Sequence, residues 1–523
     1  MIALSLGEIA DITGGVLTGP GGSDAAHYAD PEHASTMVTG TVEFDSRKIT
    51  VGGLFLALAG DRVDGHTFAP AAYAAGAVAA LTSRPVEGVA IVVPDVLVAL
   101  GALARAVLER LLQLTVVGIT GSSGKTSTKD LMAAVVEQLG PTVAPHGSFN
   151  NELGHPYTVL RCDEHTRYLI LEKSARGLGH ITWLTQIAPP RIGVVLNVGS
   201  AHIGEFGSID ITAKAKGELV EALPDAGAGG VAVLNADDPV VVAMADRTNA
   251  RVLRYGVGPF SDTDTVDIWA SNVVLNEHGR AAFTLHTPHG SANVALALHG
   301  EHHVSNALAV AAVAIELGAS LPELAQALSA AGSRSPGRMQ VTRRGDGVTV
   351  IDDSYNANPD SMRAGLRALR AMAPQGERST VGGLVDSSTQ AGRTWAVLGY
   401  MAELGQAERA EHAALGFTVA ELGIDRLVVI GEPAQAMHTA AVSKMGTWHG
   451  SSVLLADTAA ALALLREQLR PGDVVLVKAS RAARLERVAL GLLKPVSLLE
   501  PLGSLDPASS LDDRQHSDKE GTA

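Results

Sequence analysis

The sequence predicts an α/β chain of several domains built on mostly parallel sheets, and three observations predict it. The chain has 523 residues, more than one ordinary core accommodates, so about two to four domains are expected. Short β-branched runs alternate with helix-periodic segments along most of its length, as in a sheet covered on both faces. Between one such run and one such helix stands VVGITGSSGKTSTKDL (Val116–Leu131), whose glycines, hydroxyls and helix start suit a phosphate group.

The first block, residues 1–112, holds VEFDSRKITVGGLFLALAGDRVDGHTF, then the Ala-rich stretch AAYAAGAVAAL, expected as helix, then the apolar run VAIVV. The second block spans 113–332. Thr115, Val116, Val117 and Ile119 read as a buried strand, and Ser127–Leu139 as a helix with Leu131, Met132, Val135 and Val136 at helical spacing. YLILE (168–172), IGVVLNVGSAH (192–202) and GVAVLNADD (230–238) read as further strands, with IDITAKAKGELVEAL as a helix between them. Each strand runs into polar or glycine residues, and ligands of parallel sheets bind beyond those carboxyl ends. Helices over Val304–Leu317 and Leu321–Ala330 close the block, and GSRSPGRMQ (332–340) reads as a hinge.

The third block, 333–500, repeats the rhythm in VTVIDDSYNANPD, RTWAVLGYMAELG, RLVVIGEPAQA and DVVLVKASRAARLE. Residues 373–393 read as a surface loop whose VGGLV core is able to form a short strand, and the polar tail 501–523 as disordered.

Composition narrows the function. Lys+Arg 40 against Asp+Glu 55 gives a formal charge of −15, which disfavours a general binder of nucleic acid or anionic membrane. Any phosphate must therefore be held by local groups. Cys162 is the single cysteine, so no intrachain disulfide and no cysteine zinc site is available. The opening MIALSLGEIADITGG lacks a basic n-region, and no run of 18 uncharged apolar residues occurs; a cytoplasmic protein without membrane insertion is expected.

The loop itself reads Thr120-Gly121-Ser122-Ser123-Gly124-Lys125-Thr126. The usual pattern, G-x-x-x-x-G-K-[ST], would place its first glycine at 119, where isoleucine stands, so this is a shortened variant. An ordinary glycine-rich turn is the alternative, and the strand before and Lys-Thr at the helix start argue against it. Lys125 would neutralise β/γ-phosphate charge and Thr126 would ligate Mg²⁺. Thr120 through Ser127 form the expected cradle.

Further motifs follow in a fixed order: FDSR (44–47), TGSSGKT (120–126), GSFNNELG (147–154), the glutamate ending YLILE, NVGSAHIGEFGS (197–208), AKGEL (215–219), NADDP (235–239), GEHHVSNALA from Gly300, GRM (337–339), DDSYNANPDSM (352–362) and KASR (478–481). In this order, over residues from about 40 to 490, the chain resembles the Mur ligase family, ATP-dependent amide-bond-forming enzymes of peptidoglycan synthesis. The resemblance implies three α/β domains: a UDP-substrate domain, a central P-loop ATPase domain with a mostly parallel sheet, and a C-terminal Rossmann-like ligase domain. It implies an acyl phosphate made from a substrate carboxylate and ATP, then attacked by an amine. That chemistry needs alignment and charge neutralisation more than a side-chain nucleophile.

The same resemblance implies residue roles. Thr126, Glu172, His202 and Lys216 would serve two Mg²⁺ sites, with Lys216 carbamylated by CO₂ and Lys214 as its competing neighbour; with Lys125 they form the catalytic set. Glu172 would otherwise be an exposed strand-end acid, and His202 a hydrogen-bonded structural histidine. Asn306, Arg338, Asp353 and Asn358 match nucleotide contacts, although DDSYNANP also reads as a turn with Asx caps. Ser46 and Arg47 match a UDP-binding turn, with an Asp45–Arg47 surface ion pair as the alternative. Asn150 and Asn151 match a loop facing the muramoyl peptide. Lys478, Ser480 and Arg481 would hold an anionic group of the incoming peptide, unless Arg481 pairs with Glu486. Within the family, NANPDSM resembles the form found where D-alanyl-D-alanine is added, so the resemblance implies UDP-N-acetylmuramoyl-tripeptide and D-alanyl-D-alanine as substrates; a monomer is expected. The alternatives are the branch adding diaminopimelate or lysine to the dipeptide, whose diaminopimelate form carries a DNPR signature absent here, folylpolyglutamate synthase, and an idle nucleotide-binding scaffold.

Three places depart from the family pattern, one of them the loop around 376–392, which is longer than usual. Lys173-Ser174-Ala175 stands where Met-Gly-Ala is usual, and Tyr400 stands between Gly399 and Met401 where an acid is usual. Lys173 either points away from Glu172 by strand alternation or reaches a phosphate or the metal.

Overall fold

The computed structural model describes residues 1–19, 31–60, 63–199, 204, 207–258, 260, 266–373 and 392–494. The chain divides into two compact units. The first contains Met1–Asn276 and Arg280–Ser335, and the second is built on Pro336–Ala402 and the residues from Gln406 onward.

Two of the three large sheets lie in the first unit. Val16–Thr18, Ala90–Val92, Ala77–Thr82, Gly53–Ala57 and Val42–Glu43 form a five-stranded sheet, parallel except for its first pair. Half of the stretch expected as an Ala-rich helix is strand here. The helix Ala69–Ala74 stops before Gly76, which sits at φ +109, and Ala77–Thr82 then pairs with Gly53–Ala57 inside the sheet. Alanine's helix propensity yields to a buried pairing partner.

The second sheet has nine strands. Thr142–Val143, Tyr168–Glu172, Thr115–Thr120, Ile192–Val195, Val231–Asn235, Arg251–Val257 and Ile268–Leu275 run parallel in that order, and Arg280–Thr287 and Gly290–His299 extend it antiparallel. The chain leaves Thr115–Thr120 toward one edge and later returns on its other side. This makes the end of that strand the switch point where a crevice opens. The alternating rhythm foretold the parallel strands but not the antiparallel extension, whose half-buried strands carry mixed polarity.

Helix His302–Glu316 is buried on nearly every face, and its alanines (Ala307, Ala309, Ala311, Ala312 and Ala314) let it lie close to helix Lys125–Val136 in one apolar core. A second core crosses from the first sheet to the central one. Leu54, Leu81 and Ile91 join Leu100 and Leu103 of helix Val96–Arg110 and Val116, Leu169 and Leu171 of the nine-stranded sheet. Residues of the first two expected blocks therefore share one apolar core within the first unit. Cys162 is fully buried in this shared core, where burial pushes its thiol up to about 12.

The second unit is a six-stranded sheet in the order Gln340–Arg343, Thr349–Asp352, Val474–Lys478, Thr394–Leu398, Arg426–Ile430 and Ser451–Leu455, parallel except for its first strand. The loop expected within 373–393 lies, apart from its ends, outside the described residues, as does the whole of the tail 501–523.

Candidate active site

The phosphate loop connects strand Thr115–Thr120 to helix Lys125–Val136, as its sequence requires. Gly124 caps the helix at φ +81, and a Cβ there would stand 2.9 Å from Asn306 Oδ1. Only glycine fits both constraints. The loop is clamped by the chain after the next strand. Ser122 N–H donates to the Asn197 carbonyl (3.1 Å), Ser123 N–H to Asn197 Oδ1 (2.9 Å), and Gly199 N–H to Ser122 Oγ (2.9 Å). NADDP buttresses that clamp in turn: Asn235 Nδ2 donates to the Leu196 carbonyl (2.8 Å), and Asp238 accepts from Val198 N–H (2.8 Å). Sequence reasoning missed Asn197, Asn235 and Asp238, which no ligand chemistry marks out. Lys125 folds onto its own loop, donating to the Gly121 carbonyl at 2.6 Å. Asn306, expected at the nucleotide, abuts the loop and bonds His303 (3.3 Å).

Glu172 ends its strand fully buried. Its Oε2 accepts from Asn150 Nδ2 (3.2 Å) and lies 3.4 Å from the Thr126 hydroxyl, while its buried Oε1 has no hydrogen-bond partner among the described residues. A carboxylate oxygen so placed carries an unmet desolvation cost and suits a cation. Lys216, on helix Ile209–Glu221, is also buried, and among the described residues it makes no hydrogen bond or ion pair. Burial, reinforced by the charge of Lys125, pulls its ammonium well below the ordinary lysine range. Its competitor Lys214 is exposed. His202 lies outside the described residues, so its place in the set is not seen.

No group of three or more His, Cys, Asp or Glu converges on one point among the described residues. The donors are instead one carboxylate, one hydroxyl and one lysine. That set is too poor for a protein-only cage but fits Mg²⁺, which is commonly held by one or two carboxylates plus substrate phosphates.

Lys173 turns away from this site, as alternation along the strand allows. It is completely buried on the opposite face, where Nζ donates to the carbonyls of Leu184 and Ala188 (both 3.1 Å) and meets His155 Nε2 at 2.9 Å. Burial pulls it down to about 7 and pushes His155 well below the ordinary histidine range. The departure from the family pattern places no lysine on the side where Glu172 faces Thr126.

On the first sheet, Arg47 forms a two-pronged ion pair with Asp45 (2.9 and 3.0 Å) and is otherwise exposed, beside Ser46 in a short 3-10 turn. Phe44 packs edge-on against Tyr157 (5.2 Å) and toward Phe149 of the GSFNNELG loop (6.4 Å), so FDSR and that loop meet. Glu43 is buried there, accepting from the Tyr157 hydroxyl at 3.1 and 3.0 Å. Asn151 acts locally, accepting from Gly154 N–H at 2.9 Å.

In the second unit, Lys478 is buried and held by Asp353 Oδ2 (2.7 Å) and the Asn356 carbonyl (2.9 Å). Asp353 also accepts from Met339 N–H (3.1 Å), and Asn358 caps helix Pro359–Ala371 in a capping box with Ser361. Ser480 accepts from Ala402 N–H (2.8 Å), and its own N–H donates to the Tyr400 carbonyl (3.0 Å). Arg338 and Arg481 both pack on the Tyr355 ring, at 4.3 and 5.2 Å. Tyr355 was missed by sequence reasoning, although it lies inside a quoted motif. Glu486 Oε2 has no hydrogen-bond partner among the described residues.

Family models match most of the chain: the Mur ligase family catalytic domain over 40–126, the Mur ligase middle domain over 119–314, and the Mur ligase glutamate ligase domain over 337–481. A UDP-N-acetylmuramoyl-tripeptide–D-alanyl-D-alanine ligase of Mycobacterium tuberculosis H37Rv is 53% identical over 94% of this chain and 98% of its own. The ligase so named from Escherichia coli K12 is 34% identical over 94% and 99%. Among solved structures, MurF from Acinetobacter baumannii superposes with a TM-score of 0.77 at 30% identity, covering 94% of this chain and 99% of that one. MurF ligase from Thermotoga maritima in complex with ADP gives a TM-score of 0.69 at 28% identity, over 86% and 96%.

Proposed function

This chain belongs to the Mur ligase family, and from that premise we infer that it is the ATP-dependent ligase joining D-alanyl-D-alanine to UDP-N-acetylmuramoyl-tripeptide in peptidoglycan precursor synthesis. The observation that carries the reading is the presence, beside a phosphate loop, of a buried carboxylate oxygen and a buried lysine that both lack a partner among the described residues.

The chemistry follows from these groups. A carboxylate oxygen of the tripeptide attacks the γ-phosphorus of ATP, the bond to the bridging oxygen breaks, and ADP leaves. The amine of D-alanyl-D-alanine then attacks the acyl carbon. Its C–O bond to phosphate breaks, inorganic phosphate departs with the electron pair, and the nitrogen loses a proton. Loop N–H groups and Lys125 hold the phosphates, with Thr120 to Ser127 as the cradle. Thr126, Glu172, His202 and Lys216 would hold Mg²⁺, which when bound neutralises phosphate charge and fixes its orientation. Lys216 suits carbamylation: its neutral amine adds to CO₂, loses a proton and becomes an anion, at a place where the lysine has no partner among the described residues. Asn150 orients Glu172. Ser46, Arg47 and Asn151 are assigned to the UDP-sugar peptide. Asp353, Asn358 and Lys478 are assigned to shaping the second unit's loop, and Ser480, Arg338 and Arg481 to anionic groups of nucleotide and peptide. Nucleotide substrates place the reaction in the cytoplasm, and a single chain carries every group named, so a monomer suffices. No described helix is long and apolar enough to cross a membrane.

ADP release with ATP, Mg²⁺ and UDP-N-acetylmuramoyl-tripeptide tests the reading. Turnover should require D-alanyl-D-alanine and be absent with diaminopimelate, L-lysine or no amine. ATP binding without turnover on any amine would favour an idle scaffold instead.

A further inference from the structure

Helix His180–Ile187 is held at both ends by charged side chains from distant segments. At its amino end Glu218 is buried, with Oε1 accepting from Gly179 N–H (2.6 Å) and Oε2 from Thr182 N–H (2.9 Å) and the Thr182 hydroxyl (3.0 Å). At its carboxyl end the Lys173 ammonium meets the Leu184 and Ala188 carbonyls, both at 3.1 Å. An anion at the first turn and a donor at the last each match the exposed groups and partial charge of a helix end.

The two clamps come from particular places. Lys173 follows Glu172 directly, and Glu218 lies two residues beyond Lys216. The lysine stem also crosses the phosphate-loop strand: a Cβ on Gly118 would stand 3.0 Å from Lys173 Cε and 3.0 Å from Leu219 Cδ1 of the Lys216 helix. Glycine at 118 leaves the channel through which that stem runs. Ile181 of the clamped helix packs in one apolar cluster with Ala215, Leu219 and Val220 of the Lys216 helix. A fixed length of helix therefore separates the residue after Glu172 from the residue two beyond Lys216.

We propose that helix His180–Ile187 is a strut that sets the separation of Glu172 and Lys216, with Lys173 and Glu218 as positioning residues at its two ends. The proposal rests on the reading of Glu172 and Lys216 as metal-holding groups. It also gives the lysine at 173 a purpose: its length reaches carbonyls that an apolar side chain would leave without this donor.

The test measures Mn²⁺ affinity by electron paramagnetic resonance in the presence of ADP, and thermal unfolding without metal, on full-length wild type, Lys173→Met, Glu218→Ala and the double variant. Residues behind metal ligands typically alter metal affinity about 10–100-fold when removed. Each single variant should weaken Mn²⁺ about tenfold while folded, and the double should lose less than twofold more, because a strut released at one end no longer transmits the other. Thr182→Val, which keeps the helix and removes one bond to Glu218, should weaken Mn²⁺ about two- to threefold and serves if a larger change prevents folding. Lower thermal stability with unchanged Mn²⁺ affinity, or fully additive losses, overturns the strut. Failure of the wild type to bind Mn²⁺ with ADP overturns instead the metal-site reading beneath it.

Discussion

Lys216 and Lys478 are both buried lysines beside conspicuous motifs, one in each unit, and they are treated in opposite ways. Lys478 reaches a carboxylate at 2.7 Å and a carbonyl at 2.9 Å, while Lys216 has no hydrogen bond or ion pair among the described residues. Their carboxylates differ likewise. Asp353 is bonded by Lys478 and by Met339 N–H, whereas Glu172 keeps one buried oxygen without a partner among the described residues. Burial costs a charged group several kcal/mol unless something answers it. At Lys478 and Asp353 the protein answers its own charges, so these groups hold a loop together. At Lys216 and at the free oxygen of Glu172 no such answer stands among the described residues, and the proposed metal and carbamate would supply it.

The largest effect expected from this contrast is on stability, at Lys478. Lys478→Met leaves Asp353 buried beside a thioether and should destabilise the second unit by about 3–5 kcal/mol, read by urea denaturation. An unchanged midpoint would break the comparison at its paired side. Lys216→Met should do the reverse. Ligation should fall about 10²–10³-fold, the cost of losing one preorganised electrostatic group, while the unfolding temperature holds or rises because a buried polar group without a partner among the described residues is gone. Calorimetry beside ADP-release kinetics separates the two, and a marked loss of stability would show that Lys216 has a structural partner after all.

Glu43 sharpens the contrast as an intermediate case, since it has a partner in Tyr157 yet burial still raises it above the ordinary 4.5 of a glutamate. A raised carboxylate favours the protonated form, so its contribution to stability is complete below pH 4.5 and is lost as pH rises through the folded value. Glu43→Gln should flatten that decline and leave the protein at least as stable at neutral pH. A steeper decline in the variant would mean that the Tyr157 bond outweighs burial. This effect should be the smallest of the three, within about 1 kcal/mol.

Much of the frame was legible because its signals are local. The strand before the phosphate loop, the helix after it, YLILE and Leu321–Ala330 follow from spacing and from glycine at turns. What escaped depends on partners far along the chain. Ala77–Thr82 becomes strand because Gly53–Ala57 lies beside it. Asn235 and Asp238 matter because strand order brings NADDP under the loop clamp. Lys173 was an ambiguity of side. The strand predicts that it faces away from Glu172, but not the two carbonyls and the histidine awaiting it there. Tyr355 was hidden in plain view, since an aromatic under two arginines acts through packing and no spacing rule marks that.

Cys162, sealed in the core that the first sheet shares with the central one, turns the chain into its own reporter. Its thiol reacts as thiolate, and burial suppresses both the thiolate and access to it. A pulse of alkylating reagent is therefore a stopwatch on the opening of that one seam. With no other cysteine in the sequence, the adduct mass alone tells whether substrate binding keeps the seam shut, without a dye, a tag or a mutation.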